Sequence, residues 1–127
     1  MIIQIGTDIV EIEKLKYTVE TEPPASDPFI RRTFTAEEIR LALTRPSPLS
    51  FFATRFAGKE AVFKALNITG EDVRLSDIEI LSEENGRPYV RLYGSAKETA
   101  DRLGVTKVHL SLSYEDNYAV AFAVAED

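Results

Sequence analysis

The chain has 127 residues, 44% of them hydrophobic and 28% charged, with a formal net charge of −6. That length suits one domain with a real core, and the balance excludes a disordered chain. The acidic surplus argues against general nucleic-acid binding, which needs a broad basic surface, but it leaves room for a local basic patch.

There is no Cys and a single His. Disulfides, thiolate metal sites, a thiol nucleophile and a multi-histidine site within one chain are therefore excluded. Any metal is bound by oxygen, which favours Mg²⁺, Ca²⁺ or Mn²⁺ over zinc. No apolar run approaches the ~20 residues needed to span a bilayer. The start, MIIQIGTDIV, has no basic segment ahead of its apolar residues and does not read as a signal peptide. The expectation is a soluble, cytoplasmic protein with no membrane and no nucleic-acid partner.

Met1–Val10 is rich in Ile and predicts a buried strand. Asp8 falls near its end, among apolar residues. A carboxylate there is costly unless it is coordinated or hydrogen-bonded; the alternative is an Asp that caps the next helix. Glu11–Val19 predicts a short helix bearing Lys14 and Lys16. The three Pro in Thr21–Pro28 exclude a helix or central strand and mark a loop. A further helical piece is expected around Phe29–Arg32. Thr35 reads as an N-cap whose capping box is completed by Glu38. The helix it starts is expected to reach about Leu43 and to end at Pro46 and Pro48.

The chain is organised around Phe51–Leu66, FFATRFAGKEAVFKAL, with Ser50 as its expected cap and Asn67–Gly70 as its stop. As a helix it lines up Ala57, Ala61 and Ala65 in a smooth row that lets another backbone approach closely. Phe52, Phe56 and Phe63 form a neighbouring stripe. Glu60 lies beside that stripe, with Lys64 one turn on. A carboxylate held there is partly buried and needs a partner: Lys64, a metal ion, or both. The plainer alternative is a surface i,i+4 pair contributing roughly 0.2–0.5 kcal/mol.

Ser76–Leu81 and Pro88–Leu92 predict a hairpin turning at Asn85-Gly86. Ser95–Leu103 predicts an amphipathic helix with Ala96, Thr99, Ala100 and Leu103 inward, closed by Gly104. Val108–Ser113 alternates: Val108, Leu110 and Leu112 on one face, His109, Ser111 and Ser113 on the other. Such a polar row usually faces water, but His109 is the chain's lone imidazole. Tyr118–Val124 returns as a strand apolar on both faces, which therefore needs cover on two sides. One strand, then helices, then two hairpins with a helix between them predict a single α+β domain over 1–127, with antiparallel strands packed against helices.

Taken together, several motifs resemble the small holo-acyl-carrier-protein synthases, the 4′-phosphopantetheinyl transferases of fatty-acid synthesis. They are G-T-D-I-V-E-I (Gly6–Ile12), F-T-x-E-E (Phe34–Glu38), R-F-A-x-K-E-A-x-x-K-A (Arg55–Ala65), N-G-x-P-Y-V (Asn85–Val90), H-x-S-x-S (His109–Ser113) and Y-A-V-A (Tyr118–Ala121). The resemblance covers essentially the whole chain. It implies that the 4′-phosphopantetheine arm of coenzyme A is moved to a serine of an apo acyl carrier protein, with adenosine 3′,5′-bisphosphate as the other product. It implies Mg²⁺, with Mn²⁺ as the alternative, held by Asp8 and Glu60. Lys64 and His109 complete the implied catalytic set, and Glu60, directly or through a metal-bound water, is the implied acceptor of the serine proton. Arg55, Lys59, Lys64, His109 and Ser111 are the implied coenzyme A contacts. Lys14, Lys16, Arg31 and Arg32 are the expected carrier-docking residues, and the implied assembly is a homotrimer with active sites between subunits. Two features depart from the family. Members often carry a second His after the H-x-S-x-S row, where Tyr114 stands here. Their docking region is usually richer in Arg than Glu11–Glu22.

Overall fold

The computed structural model describes residues 1–69 and 73–127. Gly70, the end of the expected helix stop, lies outside them. The chain opens with β1 (Ile2–Glu11), followed by a 3₁₀ turn (Ile12–Leu15) that runs into α1 (Lys16–Val19). After a second 3₁₀ turn (Pro24–Ser26) come α2 (Pro28–Thr33), α3 (Ala36–Leu43) and the long α4 (Pro48–Ala65). A third 3₁₀ turn (Leu75–Asp77) leads into β2 (Ile78–Ser82), β3 (Pro88–Leu92), α5 (Gly94–Leu103), β4 (Lys107–Tyr114) and β5 (Tyr118–Glu126). The strands form two antiparallel sheets, β1-β5-β4 and β2-β3. This is the expected α+β arrangement.

Helix α4 lies across the three-stranded sheet and touches all of its strands. The fit at β1 depends on Gly6. A methyl group there would stand 2.1 Å from the Ala61 carbonyl oxygen and 2.7 Å from the Ala65 nitrogen. The Ala row on α4 and the Gly on β1 are thus two halves of one contact, in which backbone meets backbone. On β5, Ala119, Ala121, Ala123 and Ala125 are fully buried beneath α4. Phe52, Ile30, Leu66 and Val62 fill the core around them.

Three local readings are corrected. α4 starts at Pro48, not after Ser50, because the Ser47 hydroxyl accepts from the Ser50 amide and Pro48 suits a first helical position, which needs no donor. Pro48 therefore opens α4 and does not close α3. Leu103, expected inward, is 41% exposed. α5 is fastened at its other end, where Tyr93 N donates to Asp77 O, and its last turn finishes at the surface. The expected two-sided burial of β5 holds on one face only, since Val120 and Phe122 are 41% and 46% exposed.

Candidate active site

Asp8 pairs across the sheet with Ala121, so its side chain lies on the α4 side. α4 presents Glu60 and Lys64 one turn apart on the same side. The Lys64 ammonium donates to Asp8 Oδ1 at 3.1 Å and to the Thr7 carbonyl at 3.0 Å. Thr7 is anchored in turn, its hydroxyl donating to the Ala121 carbonyl. Glu60 is half-buried. Burial first, and then the charge of Asp8, push its carboxyl above the usual range, while Lys64 pulls the other way. Two carboxylates thus repel each other across a site with one ammonium.

The donor set fits a hard cation. Asp8 and Glu60 supply oxygen ligands, and positive charge between them would relieve the repulsion that raises Glu60. Among the described residues no group of three or more acidic, His or Cys side chains gathers to hold a metal. A pair of carboxylates, with waters and substrate phosphates making up the remainder, is a common donor set for a hard divalent cation.

Lys59, expected to contact phosphate, does not belong to this site. Its side chain is fully buried. The ammonium donates to the carbonyls of Leu75 and Ile78 and pairs with Glu38 Oε1 at 2.8 Å. Its three donors are used within the core, and none is left for a ligand.

Arg55 is 9% exposed, lies over the Phe51 ring with its charge centre 4.2 Å from the centroid, and donates to Ser82 Oγ at 2.7 Å. Burial first, then the neighbouring Arg45, bring its pKa down to about 10, against the pull of Glu38. Among the described residues its buried Nε atom has no partner. Arg55 lines a cavity of about 280 Å³ with Arg45, Ser47, Ser50, Ser82 and Tyr114. Two guanidinium groups and the hydroxyls of Ser47, Ser50, Ser82 and Tyr114 make this an anion-receptive hollow.

His109 and Ser111 stand elsewhere. They pair across the sheet with Val124 and Phe122, whereas Asp8 pairs with Ala121. Side chains alternate along a strand, so one chain holds His109 and Ser111 on the sheet face opposite Asp8, Glu60 and Lys64. His109 Nε2 is 2.8 Å from Glu126 Oε1, and that hydrogen bond holds the Glu126 carboxyl below its usual range. The same outer face exposes Ile5, Ile9, Val120 and Phe122.

Residues 4–123 match the family model of the 4′-phosphopantetheinyl transferase superfamily. The chain belongs to that superfamily. It is 44% identical over 126 residues to the holo-[acyl-carrier-protein] synthase of Clostridium novyi, covering 99% of this chain and 88% of that one. The crystal structure of the Neisseria meningitidis holo-[acyl-carrier-protein] synthase superposes with a TM-score of 0.84 at 34% identity, covering 100% of both chains. The Helicobacter pylori enzyme, solved in complex with coenzyme A, gives 0.79 at 29% identity over 96% of this chain and 99% of that one.

Of the transferase's expected docking residues, Lys14 sits loosely against Glu11 at 3.7 Å, and Lys16 is an exposed residue at the start of α1. Arg31 and Arg32 occupy the last turn of α2, and with Arg74 they border a cavity of about 410 Å³ that neither lysine reaches. Arg45, Ser47, Ser50, Ser82 and Arg74 were not legible as site residues. They come from three segments of the chain, and no periodicity links them.

Proposed function

We propose that this chain transfers 4′-phosphopantetheine from coenzyme A to a serine hydroxyl of an apo acyl carrier protein. The observation that carries the reading is the cluster of Asp8, Glu60 and Lys64 where α4 crosses β1. In the reaction the serine oxygen attacks the phosphorus that bears the pantetheine arm. The bond from that phosphorus to the bridging oxygen breaks, and adenosine 3′,5′-bisphosphate leaves. Asp8 and Glu60 would hold Mg²⁺, or Mn²⁺ in its place, whose chemistry there is Lewis-acid neutralisation of the diphosphate oxygens. Lys64 sets an ammonium beside them for the charge that grows on the leaving group. Glu60 takes the serine proton, directly or through a water. The hollow beside Arg55 and Arg45 is suited to a further phosphate of coenzyme A.

The working unit in this reading is a homotrimer. The apolar outer sheet face needs cover, and in this reading His109 and Ser111 of one subunit complete the site of an adjoining one. His109 then serves the coenzyme A phosphates from the adjoining subunit. The deciding measurement is the mass of an apo carrier protein after incubation with coenzyme A and Mg²⁺. One added 4′-phosphopantetheine per carrier is expected, and an unchanged mass overturns the reading. Light scattering that gives a monomer at micromolar concentration overturns the trimer. Mixing inactive Asp8→Ala chains with impaired His109→Ala chains should give more activity than either alone, because mixed trimers contain sites with both residues intact.

A further inference from the structure

The lone imidazole of the chain has a carboxylate of its own. Across β4 and β5, His109 pairs with Val124 and Lys107 pairs with Glu126, so His109 and Glu126 are diagonal neighbours on the outer sheet face. Diagonal positions lie about 7–8 Å apart, within reach of long side chains. The two side chains close that gap, with His109 Nε2 2.8 Å from Glu126 Oε1. By register Lys107 is the nearer partner for Glu126. Yet among the described residues the Glu126 carboxylate forms its one ion pair with the imidazole, and none with Lys107.

The end of β5 places this contact. Glu126 is the last residue of that strand, which runs between β1 and β4. Thr106 N donates to the Glu126 carbonyl at 2.9 Å, and Ile2 of β1 pairs with Glu126 from the other side. The side chain therefore leaves a backbone gripped on both edges.

Charge sets the direction of the bond. A Glu is ordinarily ionised at neutral pH, and the hydrogen bond to His109 holds Glu126 lower still. An ionised carboxylate only accepts, so Nε2 donates and carries a proton. Nε2 is thereby occupied, and among the described residues the other ring nitrogen, Nδ1, has no hydrogen-bond partner. A ligand arriving at this imidazole meets Nδ1. A phosphate oxygen accepts, so Nδ1 faces it as N–H, with both ring nitrogens donating and Glu126 balancing the charge on the ring.

Fastening the fold is a poor account of the pair. The His109 side chain is 46% exposed and that of Glu126 35%. A pair so open to water adds little stability. A carboxylate that holds an imidazole without supporting the core acts on how the ring is presented, as the carboxylate partners of metal-bound histidines do.

We infer that Glu126 is the positioning residue of His109: it takes Nε2, fixes the ring against the sheet and leaves Nδ1 as the atom that meets a coenzyme A phosphate. This rests on the transfer reaction proposed above and on the part His109 plays in it. Glu126 touches no ligand and acts through the imidazole alone. Sequence spacing does not reveal the pair, since 17 residues separate its members and only the β4–β5 register brings them together.

The test separates ring orientation from transfer. Coenzyme A binding is measured by calorimetry, and transfer kinetics by assay, on the full-length wild-type chain, Glu126→Ala, Glu126→Gln, His109→Ala and the double variant Glu126→Ala with His109→Ala. Glu126→Ala should weaken coenzyme A binding and raise its KM by about tenfold, the loss of one hydrogen bond to a charged group. KM for the carrier should stay near the wild-type value, and melting temperatures should coincide. Glu126→Gln keeps an acceptor oxygen and should recover part of the loss. The double variant should be no worse than His109→Ala alone, because Glu126 works only through that ring. His109 is the only imidazole in the chain, so nitrogen NMR of an isotope-labelled sample follows its two ring atoms directly. Adding coenzyme A should move the Nδ1 signal and leave Nε2 nearly in place. Wild-type coenzyme A affinity in Glu126→Ala, alongside an impaired His109→Ala, overturns the positioning role and leaves the reaction standing. Losses that add in the double variant show Glu126 acting by itself, and overturn it too. So does an Nε2 signal that moves while Nδ1 stays. A wild-type chain that binds coenzyme A, loses affinity in Glu126→Ala and transfers nothing keeps the positioning role and sinks the reaction. A wild-type chain that binds no coenzyme A sinks both.

Discussion

Lys59 and Glu60 are neighbours on α4, about 100° apart around its axis, and they have opposite fates. Lys59 points into the core, where Glu38 and two carbonyls meet each of its donors. Glu38 is equally occupied: one oxygen accepts from the Thr35 amide and faces Lys59, and the other accepts from the Ile80 amide at 2.9 Å. Glu79 closes this network, accepting from Thr35 Oγ1 and the Tyr93 hydroxyl. Glu60 instead reaches an open site where the second carboxylate, Asp8, repels it. Similar groups thus make a fastener when every hydrogen-bonding position is filled, and a reactive site when one charge is left over. Burial lowers the pKa of Lys59 and raises that of Glu60; both shifts disfavour charge, and only Lys59 is given its full set of partners.

The contrast can be broken from either side. The largest effect is expected at the open site. Asp8→Ala or Glu60→Ala should abolish transfer at every Mg²⁺ concentration while the melting temperature barely moves, and near-normal activity in either variant would remove the pair from the metal site. At the closed site, Glu38→Ala strands the Lys59 ammonium in the core and should cost about 3–5 kcal/mol in denaturant unfolding. There, transfer should fall only as the folded fraction falls. A variant of full stability would mean that Lys59 finds another partner or loses its proton.

The smallest effect sharpens the comparison. Glu60 binds its proton more tightly when folded, its carboxyl lying above the ordinary 4.5. Its favourable contribution is therefore complete below about pH 4.5 and is lost as pH rises through the folded value. At pH 8 the ionised group weakens the metal-free fold. Glu60→Gln should then raise the melting temperature at pH 8, with the gain shrinking toward pH 4, and should abolish stabilisation by Mg²⁺. A Gln variant that melts lower than wild type at pH 8 would mean that Glu60 is satisfied in the same way as Glu38. Function here opposes stability, as active sites often do.

Much of the local structure was legible because its causes are local. Thr35 and Glu38 form the predicted capping box, donor and acceptor both in place. Gly104 closes α5 at φ +76, where a side chain would be strained. The Ala row on α4 announced a close backbone neighbour, although nothing near it in sequence named Gly6 as that neighbour. Lys59 was misread because the motif spaces it like a ligand, and helical spacing does not reveal which side of α4 faces the β2 turn.

The sequence by itself determined the order of elements, the α+β class, the oxygen-only character of any metal site and the nearness of Glu60 to Lys64, since composition and helical or strand periodicity act within a few residues. Only the tertiary structure decided that Asp8 meets Lys64, that Glu38 neutralises Lys59, that three arginines from two segments share one cavity, and that His109 faces away from Asp8. Those facts rest on sheet register and on which face of α4 turns inward, and both are set by contacts between residues far apart in the chain.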